Sequence, residues 1–290
     1  MKMTMNKIKK IKTIFAILMF LSGVGIAAYP FISNMIAEKH ASVAIQDYDD
    51  TVKELDEEKI DAAKEAAKKY NEQLASAIVR DENGENEDEG TSYVDMQGLG
   101  ESLGYISIPK IDVELPIYEG TSEAALSKGV GHLPQSSFPI GGESTHSVLS
   151  GHRGLPSAVL FTDLDKLEKG DCFYLHILDD VLAYQVDQIK VVEPNETGDL
   201  DIIQGKDYCT LVTCTPYSIN THRLLVRGFR VPYTGEESKV QYQELRTGMV
   251  IKRLTDVWPW LVVAAVLVIG SEALLMRHLI LRRKKREEED

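Results

Sequence analysis

Two apolar runs flanked by lysine and arginine constrain this 290-residue chain more than any other feature. Thr13–Ala37 carries no formal charge and contains FAILMFLSGVGIAA. About 20 apolar residues cross a bilayer as a helix, so the run is long enough to span. Lys7, Lys9, Lys10 and Lys12 precede it, which puts the N-terminus in the cytoplasm. A cleaved export signal has the same beginning, but Tyr29, Pro30 and Phe31 prolong the run past the usual cleavage point, favouring a retained anchor. The second run starts at Trp258, is interrupted by Glu272 and ends at Met276, before RHLILRRKKREEED. Its basic flank is cytoplasmic by the same rule, so the middle of the chain is displayed outside.

The charge distribution follows that division. The net charge of -13 averages two basic ends and an acidic middle. Without the end segments there are 21 basic and 40 acidic residues, about -19. Such a surface excludes a general nucleic-acid binder, which needs a basic face to neutralise phosphates. Three scattered cysteines exclude a disulfide scaffold and a four-cysteine zinc module. The resulting segments are 1–12 cytoplasmic, 13–37 spanning, 38–80 a helical stalk, 81–103 an acidic loop and 104–235 a folded domain. Beyond them lie 236–256 as linker, 257–276 spanning and 277–290 as cytoplasmic tail.

In the stalk, 47–79 reads as one amphipathic helix. Val52, Leu55, Ile60, Ala63, Ala67, Tyr70, Leu74 and Ile78 form one apolar stripe, read as a packing face. DENGENEDEG (81–90) then has the composition of a loop. After Tyr105 the period changes. YISIPKIDVELPIYEG, SVLSGH, CFYLHIL, VLAYQVDQIKVVE, DYCTLVTC and HRLLVRGFRV alternate between turn signals. Seven or eight short strands over some 130 residues predict a mainly β fold, a barrel or sandwich. Only short helices fit between them, such as Ser122–Ser127 and Leu160–Leu167.

The candidate chemistry lies at strand ends. Alternation puts Thr210, Val212 and Cys214 on one strand face, and Pro216 ends that strand. SIN then reads as a turn leading to a returning strand from His222 to Val231, with Arg223 near its start. A thiol beside a fixed cation is a plausible nucleophile, because the cation favours the thiolate. A strand cysteine is more often a small core residue, however, so both readings stay open. His132, His146, His152 and His222 are candidate partners; His152 in SGHRG follows a strand and lies between glycines. No metal spacing is evident. Cys209 cannot bridge Cys214, since five extended residues span about 16 Å. Cys172 and Cys209 are expected as buried free thiols, with a mutual disulfide as the alternative.

TLVTCTPYSINTHRLLVRG resembles the catalytic signature of the sortases, TLxTC followed nine residues later by arginine. GHLPQSSFPIGGESTHSVLSGHRGLPSAVLFTDLDKL resembles the histidine region of their class C, pilus-assembling branch. The resemblance runs from about Gly104 to Val231. It implies an eight-stranded β-barrel, Cys214 as nucleophile, His152 as general acid/base and Arg223 as oxyanion stabiliser. It also implies LPXTG-type sorting signals, a pilin acceptor lysine, and no metal or organic cofactor; membrane lipid is expected as a partner from the two apolar runs. A wall-anchoring sortase and a non-catalytic tethered assembly factor are the alternatives. One departure concerns the lid, which class C relatives mark with Asp-Pro-aromatic. Here Arg80-Asp81-Glu82-Asn83 stands instead, with Tyr93 the nearest ring, so peptide cleavage is expected without any lid mutation.

Overall fold

The computed structural model describes residues 2–82, 101–235 and 237. The expected second span at 257–276, the linker at 236–256 apart from Glu237, the tail and most of the acidic loop lie outside the described residues. Helix α1 (Lys2–Glu54) and helix α2 (Glu57–Glu82) precede eight strands. These are β1 (Ser102–Ile108), β2 (Val113–Glu119), β3 (Val130–His132), β4 (Thr145–Ser150), β5 (Cys172–Ile177), β6 (Asp180–Val192), β7 (Asp207–Thr215) and β8 (His222–Val231). They close into a barrel in the order β1-β2-β3-β4-β7-β8-β6-β5, with β5 pairing back onto β1. The pairs β2/β3 and β4/β7 are parallel and the other six antiparallel.

Alternation fills the barrel. Phe173, Leu175 and Ile177 of β5 are buried while Cys172, Tyr174 and His176 are only half-buried. Ile106, Ile117, Leu149, Phe173, Tyr184, Leu211 and Val226 meet in one core. The short helix α3 (Glu123–Leu126) falls where expected, capped by the Ser122 hydroxyl accepting from Ala125 N–H. The 160–167 stretch is a series of turns with a 3-10 turn at Leu164–Lys166. Strand β3, only three residues long, was not signalled by any alternation.

The single helix expected over 47–79 is instead two. Leu55 N–H bonds Val52 O, and α2 starts afresh with Lys59 and Ile60 N–H donating to Asp56 O. The five-residue step from Leu55 to Ile60 breaks the three-to-four rhythm at that point. The apolar stripe is a packing face, as expected: Ala67, Tyr70 and Leu74 are buried against the barrel, and Val52, Leu55, Ile60 and Ala63 flank them. On α1, Ala41, Ile45 and Tyr48 are buried in the same way. Tyr48 fastens the helix: its hydroxyl donates to Leu103 O (3.1 Å) and accepts Leu178 N–H (2.7 Å). Further towards the N-terminus α1 is apolar and exposed. It is the one helix among the described residues long and apolar enough to cross a membrane.

Candidate active site

Strands β7 and β8 run antiparallel with Cys214 directly opposite Arg223. Directly opposed residues share a face, with Cβ atoms about 4.5–5.5 Å apart. Cys209 and Leu211 are fully buried in the core, whereas Val212 and Cys214 sit on the other, half-buried face. The connection is short because Ile219 and Asn220 N–H both close onto Pro216 O. The Arg223 guanidinium donates from Nη1 to the carbonyls of His222 (3.1 Å) and Asn220 (3.4 Å), which holds it at the turn beside Cys214.

His152 arrives from the other side of β7. β4 runs parallel to β7 in register Ser150↔Val212. The register extends past the strand end, since Gly151 N–H bonds Val212 O (3.0 Å) and the Thr213 hydroxyl donates to Gly151 O (2.7 Å). His152 is the next residue, so it leaves β4 beside the end of β7 that carries Cys214. Gly151 is needed here, because a Cβ would lie 2.7 Å from the ring of buried Phe161. Gly154 has φ of 79° and faces the Tyr217 ring, so the two glycines of SGHRG are imposed by packing and backbone.

The loop that leaves His152 is fastened at several points. Phe161 N–H bonds His152 O, and Gly154 N–H bonds the Thr162 hydroxyl. Arg153, with a side chain only 8% exposed, donates to Thr215 Oγ1 (3.0 Å) and pairs with Asp165. It thus links the histidine loop to the residue after Cys214. His152 Nε2 lies 3.3 Å from the exposed Glu123 carboxylate. Two further bonds come from α1: Ser33 Oγ donates to Pro156 O (3.1 Å), and Asn34 Oδ1 accepts Val159 N–H (2.9 Å). Arg153, Asp165, Ser33 and Asn34 were not singled out by the sequence, because each acts through a contact far away along the chain.

The other candidates are placed elsewhere. His132 is fully buried against Ser137 O and Ser136 Oγ, and burial lowers its pKa to about 4. Burial also lowers that of His146, whose ring bridges Asp201 O and Thr210 Oγ1. Both stay neutral and are occupied in holding the barrel. His222 sits opposite Thr215, on the other face of β8 from Arg223. All three cysteines are free, so the alternative Cys172–Cys209 disulfide is not formed. Cys209 is buried as expected, but Cys172 is half-exposed. Burial pushes both thiols up, that of Cys209 well up, which disfavours either thiolate. Among the described residues no three His, Cys, Asp or Glu side chains form a metal-holding group.

A closed β-barrel with a thiol, an imidazole and a guanidinium on adjacent strand ends defines a class of cysteine-containing barrel proteins. The sortase-domain family model matches residues 106–231, and together with solved sortase C structures it shows that the chain belongs to the sortase family of cysteine transpeptidases. Sortase D of Bacillus subtilis (strain 168) is 38% identical over 119 residues, 41% of this chain and 57% of that protein. The chain thus spans little more than half the length of that relative. The structure of Streptococcus pneumoniae Sortase C is 50% identical with a TM-score of 0.58, covering 65% of this chain and 96% of that one. The Clostridium perfringens sortase C structure that includes a C-terminal cell wall sorting motif is 48% identical (TM-score 0.58), covering 67% and 100%.

Proposed function

We propose that this chain is a membrane-anchored class C sortase that joins pilin subunits, with Cys214, His152 and Arg223 as its working groups. The observation that carries the reading is the register. Cys214 lies opposite Arg223 across β7/β8, and the parallel β4/β7 pairing ends two residues before His152, on the other side of β7, which supports a place for His152 near Cys214. Similarity to class C structures, among them one whose study concerns pilin substrate specificity, supports the pilin assignment.

The chemistry follows from those positions. The Cys214 thiolate attacks the Thr–Gly carbonyl carbon of an LPXTG-type signal, and the carbonyl π electrons move onto oxygen. Arg223, charged at any relevant pH, donates N–H bonds to that oxygen as charge builds. Collapse breaks the C–N bond, and protonated His152 gives its proton to the departing glycine amine. A Cys214 thioester remains. Neutral His152 then takes a proton from a pilin lysine amine as it attacks the thioester, which releases the thiolate and forms an isopeptide bond. The apolar part of α1, with basic residues before it, serves as the anchor, and the second run at 257–276 as the returning span.

The test is the full chain in detergent with a fluorogenic LPXTG-type peptide, beside Cys214→Ala. Cys214-dependent cleavage, a Cys214 acyl adduct seen by mass spectrometry, and joining only of pilin that has its acceptor lysine are expected. Absence of Cys214-dependent cleavage with any sorting-signal variant overturns the enzyme reading. Transfer to a peptidoglycan-type amine but never to pilin lysine overturns the pilin reading. Cleavage is expected with segment 81–95 intact; activity only after its deletion refutes the expectation of an open cleft.

A further inference from the structure

We infer that the loop following His152, residues 155–159, rests on the outer lipid surface, so that the barrel holds its active-site rim against the membrane. This inference rests on the reading of α1 as a membrane anchor. Helix α1 is one continuous element from Lys2 to Glu54, and it carries both the apolar run and the barrel contacts. Its residues therefore act as a ruler along one axis. Asn34 and Ser33 touch the histidine loop at Val159 and Pro156. Tyr48 touches the far side of the barrel at Leu103 and Leu178. From Asn34 to Tyr48 is fourteen residues, which at 1.5 Å each is about 21 Å along the helix. The histidine loop is nearer the apolar run by that distance than the β5–β6 turn at Leu178–Asp179.

The level of the lipid surface follows from the same helix. Phe31 and Ile32 are exposed and apolar, and the first charged side chain after the run is Glu38. Asn34 Nδ2 donates to Glu38 Oε1 (2.7 Å), so the polar face of α1 opens here. The uncharged run would measure about 37 Å as a helix against a hydrocarbon core of about 30 Å, so its last turns emerge into the headgroup layer. Ser33 and Asn34 lie in those turns, and the loop hydrogen-bonded to them shares their depth. Pro30 lies within the helix below this point and allows a bend there. It does not interrupt the segment from Asn34 to Tyr48. An ordinary helix tilt of about 20° shortens the vertical separation only to about 20 Å. The loop presents exposed Pro156 and half-buried Leu155 beside Ser157, an uncharged surface suited to a headgroup layer.

The test uses the full chain in phosphatidylcholine nanodiscs containing a nitroxide on the lipid headgroup. A fluorophore is attached to Ser157→Cys or to Asp179→Cys after Cys172, Cys209 and Cys214 are replaced by alanine. Quenching at 157 at least twofold greater than at 179 is expected. Equal quenching, or the reverse order, overturns the inference. If that background does not fold, a photo-crosslinking amino acid at Pro156 or Asp179 in the otherwise native chain gives the same comparison, with lipid adducts expected at 156 alone. A fluorophore at Ile26 with acyl-chain nitroxides tests the anchor separately. Unquenched Ile26 refutes the anchor, whereas quenched Ile26 with equal quenching at 157 and 179 refutes only the orientation.

Discussion

Replacing Tyr48 by phenylalanine removes one oxygen and nothing else, at the point where α1 is fastened to the barrel. The hydroxyl has two partners, Leu103 O and Leu178 N–H, and the residue is 3% exposed. The phenylalanine ring keeps the packing, so no cavity term enters. The cost is that of a buried donor losing its partner, about 1–3 kcal/mol, with the Leu103 carbonyl at the lower end of that range. A total of about 2 kcal/mol is expected, read from denaturant unfolding of a soluble 38–237 fragment as a lower midpoint with an unchanged slope. A pH arm separates this from general damage. Burial raises the Tyr48 pKa to about 12, above the ordinary 10.0. A group raised in the folded state stabilises fully below its unfolded pKa and loses that contribution as pH rises through the folded one. The native protein should therefore lose stability between pH 10 and about 12 that the variant does not lose, and the two curves should converge there. A change below about 0.5 kcal/mol at neutral pH, within the range of ordinary surface substitutions, would refute the reasoning.

Three other outcomes follow from the same geometry. His132, lowered to about 4 by burial, stabilises fully above its unfolded pKa and loses that contribution as pH falls from about 6.5 to 4. Urea unfolding should show a fall of about 3 kcal/mol over that window from this group, flattened in His132→Asn. Gly151→Ala drives a Cβ into the Phe161 ring; about 1–3 kcal/mol of stability and most of the peptide cleavage should be lost together. Arg153→Met uncouples the histidine loop from Thr215. With Asp165 left half-exposed, stability should fall by only about 1 kcal/mol, while kcat/KM falls about tenfold or more, since small misplacements of a reacting group are costly.

The parts of the fold legible in the sequence are those fixed locally. Two alternating runs joined by SIN can only form a hairpin, so the nearness of Cys214 and Arg223 followed from chain length and period. The glycines around His152 marked a strand end for the same reason. What alternation could not supply was the partner of each strand. The parallel β4/β7 pairing, with more than fifty residues between the two strands, is decided by burial of Leu149 and Leu211 in a shared core. β3 is too short to show a period and exists because β2 and β4 both pair with it. The continuity of α1 through the boundary between apolar run and stalk was hidden by the change of composition, although helix propensity carries through it. Arg153 was not singled out because its partners Thr215 and Asp165 lie beyond local spacing.

The ring of eight strands has no first and last member. Many peptide-binding proteins recognise an extended chain by letting it become one more strand, reading its backbone through a row of free amides and carbonyls. A closed circle offers no such vacancy. Under the proposed function, a peptide brought to Cys214 would be gripped chiefly by side chains and loops, and its sequence would supply the discrimination that a sheet edge leaves to the main chain. The same closure spares the barrel from edge-to-edge association with its own copies.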